Sequence, residues 1–356
     1  MGLDRYNTGM RSVSNSTTAA TAIALIEDLQ RQLTVKLESL ADDDTRLTRV
    51  EWLRDGGRHG GGVRFELADR GPFNRASVNM SHVHYDDDQA RPLRSATALS
   101  SIIHPAHPRA PSLHLHISWT ELRTGLGSWR IMADLNPSIP DDEDTDRFAT
   151  AVVAAFVEHA GSAVAEGALR QGDRYFFIPA LNRHRGVCHT YLESYRSDDA
   201  DADLALARHV GEVVMAVYVD MVRDVLRSAA APTDDERQTQ LAYHTAYLFQ
   251  VLTLDRGTTS GLLIHDENDL GILGSLPSRV DRALLSSWAN LVPPLQQPLV
   301  EALVGCLRDE YPCPVDSDTR ACLARAVRAF YRATPAALEL QARGDVVPPT
   351  TYNHGR

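Results

Sequence analysis

Apolar residues recur at helical spacing from Thr17 to Leu40 (Ala20, Ile23, Ala24, Ile26, Leu29, Leu33, Leu37), and the run ends on the acidic Asp42–Asp44. This stripe predicts an amphipathic opening helix lying on a sheet. From Arg49 to Leu135 the texture changes to short runs broken by Gly, Pro and Asp: Val63–Leu67, Ala76–Tyr85, Thr97–His104, Leu113–Glu121 and Ser128–Leu135. Their alternation predicts antiparallel strands. The acidic Asp141–Asp146 opens an apolar helix through Phe148, Val152, Val153, Ala155, Phe156 and Val164, placed to cover one sheet face, and a second long helix is expected over about Leu204–Ser228. Further strands are predicted at Tyr175–Ile178, Val187–Leu192, Ala246–Leu254, Gly261–Ile264 and Ile272–Leu276. The sheet would then draw on both halves of the chain and form one domain. Past Pro293-Pro294 the pattern is helical (Leu299–Arg308, Thr319–Ala333, Ala336–Arg343), followed by a polar tail with Pro348-Pro349. The reading is an α+β domain over 1–290, with 291–356 as a helical C-terminal extension and tail.

The chain has 356 residues, 43% of them hydrophobic and 23% charged, which is ordinary globular composition. A net charge of −11 without a basic block argues against a nucleic-acid surface and leaves small-molecule chemistry as the default. No stretch has the length of a membrane span, and Ser12–Ile26 lacks the basic leader of a secretory signal. Four cysteines (Cys188, Cys306, Cys313, Cys322) show no Cys-x-x-Cys spacing and are read as reduced thiols of a cytoplasmic protein, the last three as core residues of the C-terminal helices.

Candidate chemistry begins with histidine. Six of the 14 histidines (His82, His84, His104, His107, His114, His116) fall between positions 82 and 116. His82-Val83-His84 and His114-Leu115-His116 each put two imidazoles on one face of a strand, and pairing in register could bring four rings together. Imidazole serves general acid–base chemistry and metal ligation alike, so His104, His114 and His116 with Asp134 could also hold iron or copper. For any single histidine, packing in the sheet is the simpler account. Asp134, ahead of Asn136-Pro137, is placed for proton transfer or for an Asx turn. Asp255-Arg256-Gly257-Thr258 reads as a tight turn between strands held by an ion pair. Gly56-Gly57 and Gly60-Gly61-Gly62 lack the strand-to-helix setting of a phosphate loop, and no nucleophile elbow occurs.

The run Phe73-Asn74-Arg75-Ala76-Ser77-Val78-Asn79-Met80-Ser81-His82-Val83-His84, then Ile103-His104-Pro105 with His114 ten residues after His104, resembles oxygen-dependent coproporphyrinogen III oxidase. Colinear matches follow at Asp134-Leu135-Asn136-Pro137, Glu143-Asp144, Asp173-Arg174-Tyr175-Phe176-Phe177 and Arg185-Gly186. They continue at Gln240-Leu241, Asp255-Arg256-Gly257-Thr258, Gly261-Leu262 and Ile272-Leu273-Gly274-Ser275-Leu276-Pro277, and the resemblance ends at about Ser278. It implies a large antiparallel sheet flanked by helices on both faces, a homodimer, and conversion of two propionates of a reduced tetrapyrrole to vinyl groups, with O₂ as acceptor, CO₂ lost and no organic cofactor. By position it implies His114 as the active-site histidine, Asp134 as the carboxylate meeting a pyrrole N–H, and Ser100 as a substrate-contacting serine; Asn79, His116, Asp255 and Arg256 are expected as further substrate-binding residues.

Departures fall where that family binds carboxylates. His116 and Ser118 stand in place of an asparagine and an arginine, and His265-Asp266-Glu267 in place of Gly-Gly-Arg. Tyr243-His244-Thr245-Ala246 replaces an arginine-rich segment, Ala180-Leu181 a His-Arg pair, and Trp129-Arg130-Ile131-Met132-Ala133 a stretch richer in tryptophan and glycine. Each lost arginine removes a bidentate carboxylate partner, and Glu267 would repel a polyanion. Three readings follow: the same oxidative chemistry on a smaller, less anionic substrate in a specialised pathway; a divergent haem-pathway oxidase with relocated arginines such as Arg109, Arg123 or Arg130; or a non-catalytic ligand-binding paralogue. The first is favoured, since the third gives no packing reason for keeping both His114 and Asp134. Alanine at either position is expected to abolish turnover and leave the fold intact.

Overall fold

The computed structural model describes residues 11–41 and 44–346, so Asp42, Asp43 and the Pro348-Pro349 tail lie outside the described residues. α1 (Thr17–Glu38) forms as expected, its first turn capped by the Ser16 hydroxyl, which accepts from the Ala19 N–H. Next come β1 (Thr48–Leu53), β2 (Gly60–Arg70), β3 (Phe73–His84), β4 (Leu93–Pro105), β5 (Ser112–Leu122) and β6 (Gly127–Asn136). The apolar helix predicted as one element is two, α2 (Asp142–Ala160) and α3 (Ser162–Tyr175). They break at Gly161, whose φ of 84° lies outside the helical region. A short ladder, β7 (Phe177–Ile178) with β8 (Arg183–His184), precedes β9 (Cys188–Tyr195) and the long α4 (Ala200–Ser228).

Seven strands form one antiparallel sheet in the order β1-β2-β3-β4-β5-β6-β9. Its strict alternation sorts the two faces. Ala76, Val78 and Met80 of β3, Leu113, Leu115 and Ile117 of β5, and Ile131, Ala133 and Leu135 of β6 share a core with α1, α2 and α4. The intervening residues of the same strands point to the other face, which is where the polar chemistry sits. No strand of this sheet comes from beyond Tyr195 among the described residues. The segments predicted as strands at Ala246–Leu254, Gly261–Ile264 and Ile272–Leu276 are helices instead: α5 (Asp234–Thr253), α6 (Arg256–Ile264), and α7 (Asp269–Ile272) running into a 3₁₀ turn. Every residue from Tyr243 to Thr253 is buried. A helix enclosed all round shows no polar stripe, so its sequence reads as a plain apolar run. Asp255 accordingly caps α6, accepting from the Thr258 N–H at 2.6 Å, and is not part of a hairpin.

The chain continues through β10 (Arg279–Val280), α8 (Arg282–Ser287), α9 (Gln297–Gly305), β11 (Cys313–Pro314) and α10 (Ser317–Ala333). These C-terminal helices share one core with α5 and α6, through Leu299, Val300, Leu323, Val327, Leu248 and Leu252 among others. The expectation of four reduced thiols is corrected: Cys306, just past α9, and Cys322, on α10, form a disulfide with their Cα atoms 5.6 Å apart. Helix packing brings the two together across the chain, which their spacing did not reveal. Cys188 and Cys313 are buried free thiols. Among the described residues no helix is long and apolar enough to cross a membrane.

The Gly60–Gly62 run lets strands approach closely. A Cβ on Gly62 would lie 2.3 Å from the Met80 carbonyl oxygen and 2.5 Å from Trp52 Nε1, and Gly60 adopts φ of 90° against His82. Gly62→Ala is therefore expected to lower the melting temperature by several degrees, because strand backbone cannot yield as a flexible side chain would. A scanning-calorimetry trace matching the parent would contradict this.

Candidate active site

Two rows of side chains cross the polar face. Strand register sets Ser77, Ile102, His114, Asp134 and His189 opposite one another in the first row, and Asn79, Ser100, His116, Met132 and Tyr191 in the second. The expected convergence of four histidines does not occur. His82 and His84 lie on the opposite face, with His82 bonded to Thr97 and to the Ser14 amide, and His84 bonded to Ser12. A one-residue change of parity separates them from His114 and His116, as the period of a strand requires. His107 lies beyond β4, bonded to the Ala230 carbonyl.

The centre of the first row is a fully buried carboxylate. Asp134 Oδ2 lies 2.5 Å from His114 Nδ1 and 2.8 Å from Arg185 Nη2, while Oδ1 has no hydrogen-bond partner among the described residues. Arg185 is itself buried. It donates to Gln250 Oε1 at 2.9 Å and Asn136 Oδ1 at 3.3 Å, and its guanidinium stacks over the Phe176 ring, 4.1 Å from the centroid. Gly186 makes this approach possible, since a Cβ there would lie 2.3 Å from the Leu135 carbonyl oxygen. Burial pushes the Asp134 carboxyl up to about 7, with Arg185 opposing, and brings His114 down to about 3 with help from the same guanidinium. One proton therefore lies between Nδ1 and Oδ2. When it sits on Nδ1, His114 Nε2 is bare and can accept a proton; when it sits on Asp134, Nε2 carries one to give.

This shared proton has a thermodynamic signature. Between about pH 4 and 6.5 the folded pair holds one proton, on Asp134, and the unfolded chain also holds one, on His114, so the pair adds no slope of stability against pH. His114→Gln removes the compensation. The folded chain then binds a proton that the unfolded chain lacks, and stability present below about pH 4 is lost as pH rises towards 7, at up to about 1.4 kcal/mol per pH unit. Urea unfolding of His114→Gln and parent at pH 4.5, 5.5 and 6.5 tests this; parallel profiles would contradict it.

A cavity of about 250 Å³ opens over these rows, lined by Asn79, Ser100, His114, His116, Arg185 and Asp255 together with parts of α6 and α7. It adjoins a second cavity of about 580 Å³ along the same face, with which it shares Asn79, His116 and Arg130. The second is mainly apolar, through Val83, Leu93, Leu122, Leu126 and Trp129, and carries Arg196, an exposed residue. Of the residues singled out from sequence, His114, Asn79, Ser100, His116 and Asp255 line the first cavity. Asp134 lies behind His114 and lines neither cavity. Arg256 turns away, donating to the Ala342 carbonyl. His104 is wholly buried, with Nδ1 bonded to Ser112 and Nε2 to the Ser275 carbonyl. An ion held by His104, His114 and His116 does not fit this arrangement: both nitrogens of His104 are engaged, and these three do not bring ligand atoms within 4.8 Å of one another.

Arg185, Gln250, Tyr175 and Tyr191 were not among the sequence candidates. The Arg185-Gly186 pair was visible, but its meaning depends on the contact with Asp134. Glu267 ion-pairs with Arg54 at 2.9 Å and lines neither cavity, so its expected repulsion of an anion is corrected. The candidate replacement arginines are also engaged. Arg109 pairs with Glu236, Arg123 bonds the backbone of Arg91 and Asp88, and Arg130 holds Glu193 through two contacts at 2.6 and 3.2 Å.

An imidazole backed by a buried carboxylate and arginine, open to a cavity on an antiparallel sheet, is an arrangement able to exchange a proton with a small molecule. The comparisons place it more narrowly. The family model for coproporphyrinogen III oxidase matches residues 21–288, and the chain belongs to that family. It is 29% identical over 245 residues to the oxygen-dependent coproporphyrinogen-III oxidase of Rickettsia bellii strain RML369-C, covering 66% of this chain and 85% of that protein. The Rickettsia typhi protein of that name is 30% identical over 244 residues, covering 65% and 84%. The mitochondrial human one is 25% identical over 305 residues, covering 80% and 64%. The family is one of oxidoreductases.

Proposed function

We propose that this chain is an O₂-dependent oxidase, working by oxidative decarboxylation as its family does, on a substrate smaller and less anionic than coproporphyrinogen. One observation carries the substrate reading: both arginines of the first cavity are already neutralised, Arg185 by Asp134 and Arg130 by Glu193, while Asp255 adds a carboxylate with no ion-pair partner among the described residues. A tetracarboxylate brought there would lose water without gaining bidentate partners. A single carboxylate could meet Arg196 at the edge of the second cavity.

His114 Nε2 is the group placed to exchange a proton with the bound ring, and Asp134 acts through His114 by fixing which nitrogen is bare. This moves the role of base from Asp134 to the imidazole. Sharing an N–H proton raises the electron density of a heteroaromatic ring and eases its oxidation by O₂. We extend the reading to a homodimer, for which light scattering should give twice the chain mass.

O₂ uptake with matching CO₂ release from electron-rich pyrroles and indoles carrying a single propionate tests the substrate reading. Uptake with at least one of them, lost in His114→Ala, is the expected result. Uptake only with polycarboxylates, or unchanged in the variant, would contradict it.

A further inference from the structure

On the face of the molecule opposite the cavities, Glu158 and His159 end α2 and His209 lies on α4. His209 Nε2 is 3.3 Å from Glu158 Oε2, His159 Nε2 is 4.0 Å from Glu158 Oε1, and the two imidazoles meet edge to face with centroids 5.0 Å apart. One ligand atom from each residue lies within 4.8 Å of the other two, and no other such trio of His, Cys, Asp or Glu occurs among the described residues. A tetrahedral ion with bonds of about 2.0–2.1 Å sets its ligand atoms roughly 3.3–3.4 Å apart, so one separation already fits and the others need only rotation of partly exposed side chains. The backbone is fixed on both sides: Ala155 and Phe156 bury α2, and Leu206, Ala207 and Val210 bury α4, in the same core. Glu158 has only the two imidazoles as ion-pair partners among the described residues.

We propose that Glu158, His159 and His209 form a surface site for a divalent ion of the Zn²⁺ class that ties the end of α2 to α4. Two imidazoles and one carboxylate are the ligand set such ions select over Mg²⁺ or Ca²⁺, and water completes the coordination. The site lies across the sheet from His114, so it acts on stability and does not depend on the oxidase reading.

Titration of the metal-stripped full chain with Zn²⁺ at pH 7.5, followed by calorimetry, tests the site. One equivalent should bind, binding should be lost in both His159→Ala and His209→Ala, and free Zn²⁺ at 100 times its Kd should raise the parent's melting temperature by roughly 3–4 °C. Should either variant melt early without metal, the exposed Glu158→Gln takes its place with at least a tenfold loss of affinity expected. Absence of binding, or binding that survives these substitutions, would overturn the proposal.

Discussion

Arg185→Met is expected to cost about 3–5 kcal/mol of folding stability, the largest effect of any single change considered. The guanidinium is buried and donates to Asp134, Gln250 and Asn136. Methionine would fill the space over Phe176 but leave a fully buried carboxylate facing one neutral imidazole. Removing both charges should recover much of the loss, so Arg185→Met with Asp134→Leu is expected to be more stable than Arg185→Met alone. A denaturant cycle over the four proteins measures the coupling. An Arg185→Met variant within 1 kcal/mol of the parent, on the order of a surface change, would show that the pair is not the buried unit described.

His114→Ala should reduce turnover by about 10²–10⁴-fold, the range lost when a positioned acid–base group is removed. Asp134→Asn should fall in the same range. Its amide can still meet Nδ1, but it holds neither the negative charge nor the exchangeable proton, and it can present its NH₂ and so force the opposite tautomer. Both variants should retain the parent's fold by circular dichroism. Asp134→Ala is different: it strands the buried Arg185, so the intact fold expected of it from sequence is not expected from the structure. Activity in His114→Ala within tenfold of the parent would remove the imidazole from the chemistry.

The parts of the fold with one apolar and one polar face were legible in the chain. The apolar stripe of α1 and the alternation in β3 to β6 each record one buried and one polar face, and their boundaries fall within a few residues of those expected. The helical period of α5 was hidden because its second half is enclosed on every side, and the Gly261–Ile264 and Ile272–Leu276 runs are too short to show a helical period at all. The site was readable as far as strand parity reaches, so His114 and His116 were correctly placed on one face. That His82 and His84 take the other face follows from register, which a single strand does not show. Arg185 and Gln250 come from a loop and a helix far along the chain, and only the packed structure shows that Arg185 holds Asp134 and Asn136 while Gln250 accepts from Arg185. The fate of Glu267 was likewise decided by Arg54, more than two hundred residues earlier.

The proposed substrate class depends on whether the cavity's neutralised arginines exclude the family's tetracarboxylate. The direct measurement is to mix purified, folded protein anaerobically with coproporphyrinogen III, admit O₂, and follow decarboxylated product by mass spectrometry. No vinyl product above the protein-free blank is predicted, while stoichiometric vinyl product with matching loss of CO₂ would contradict the account.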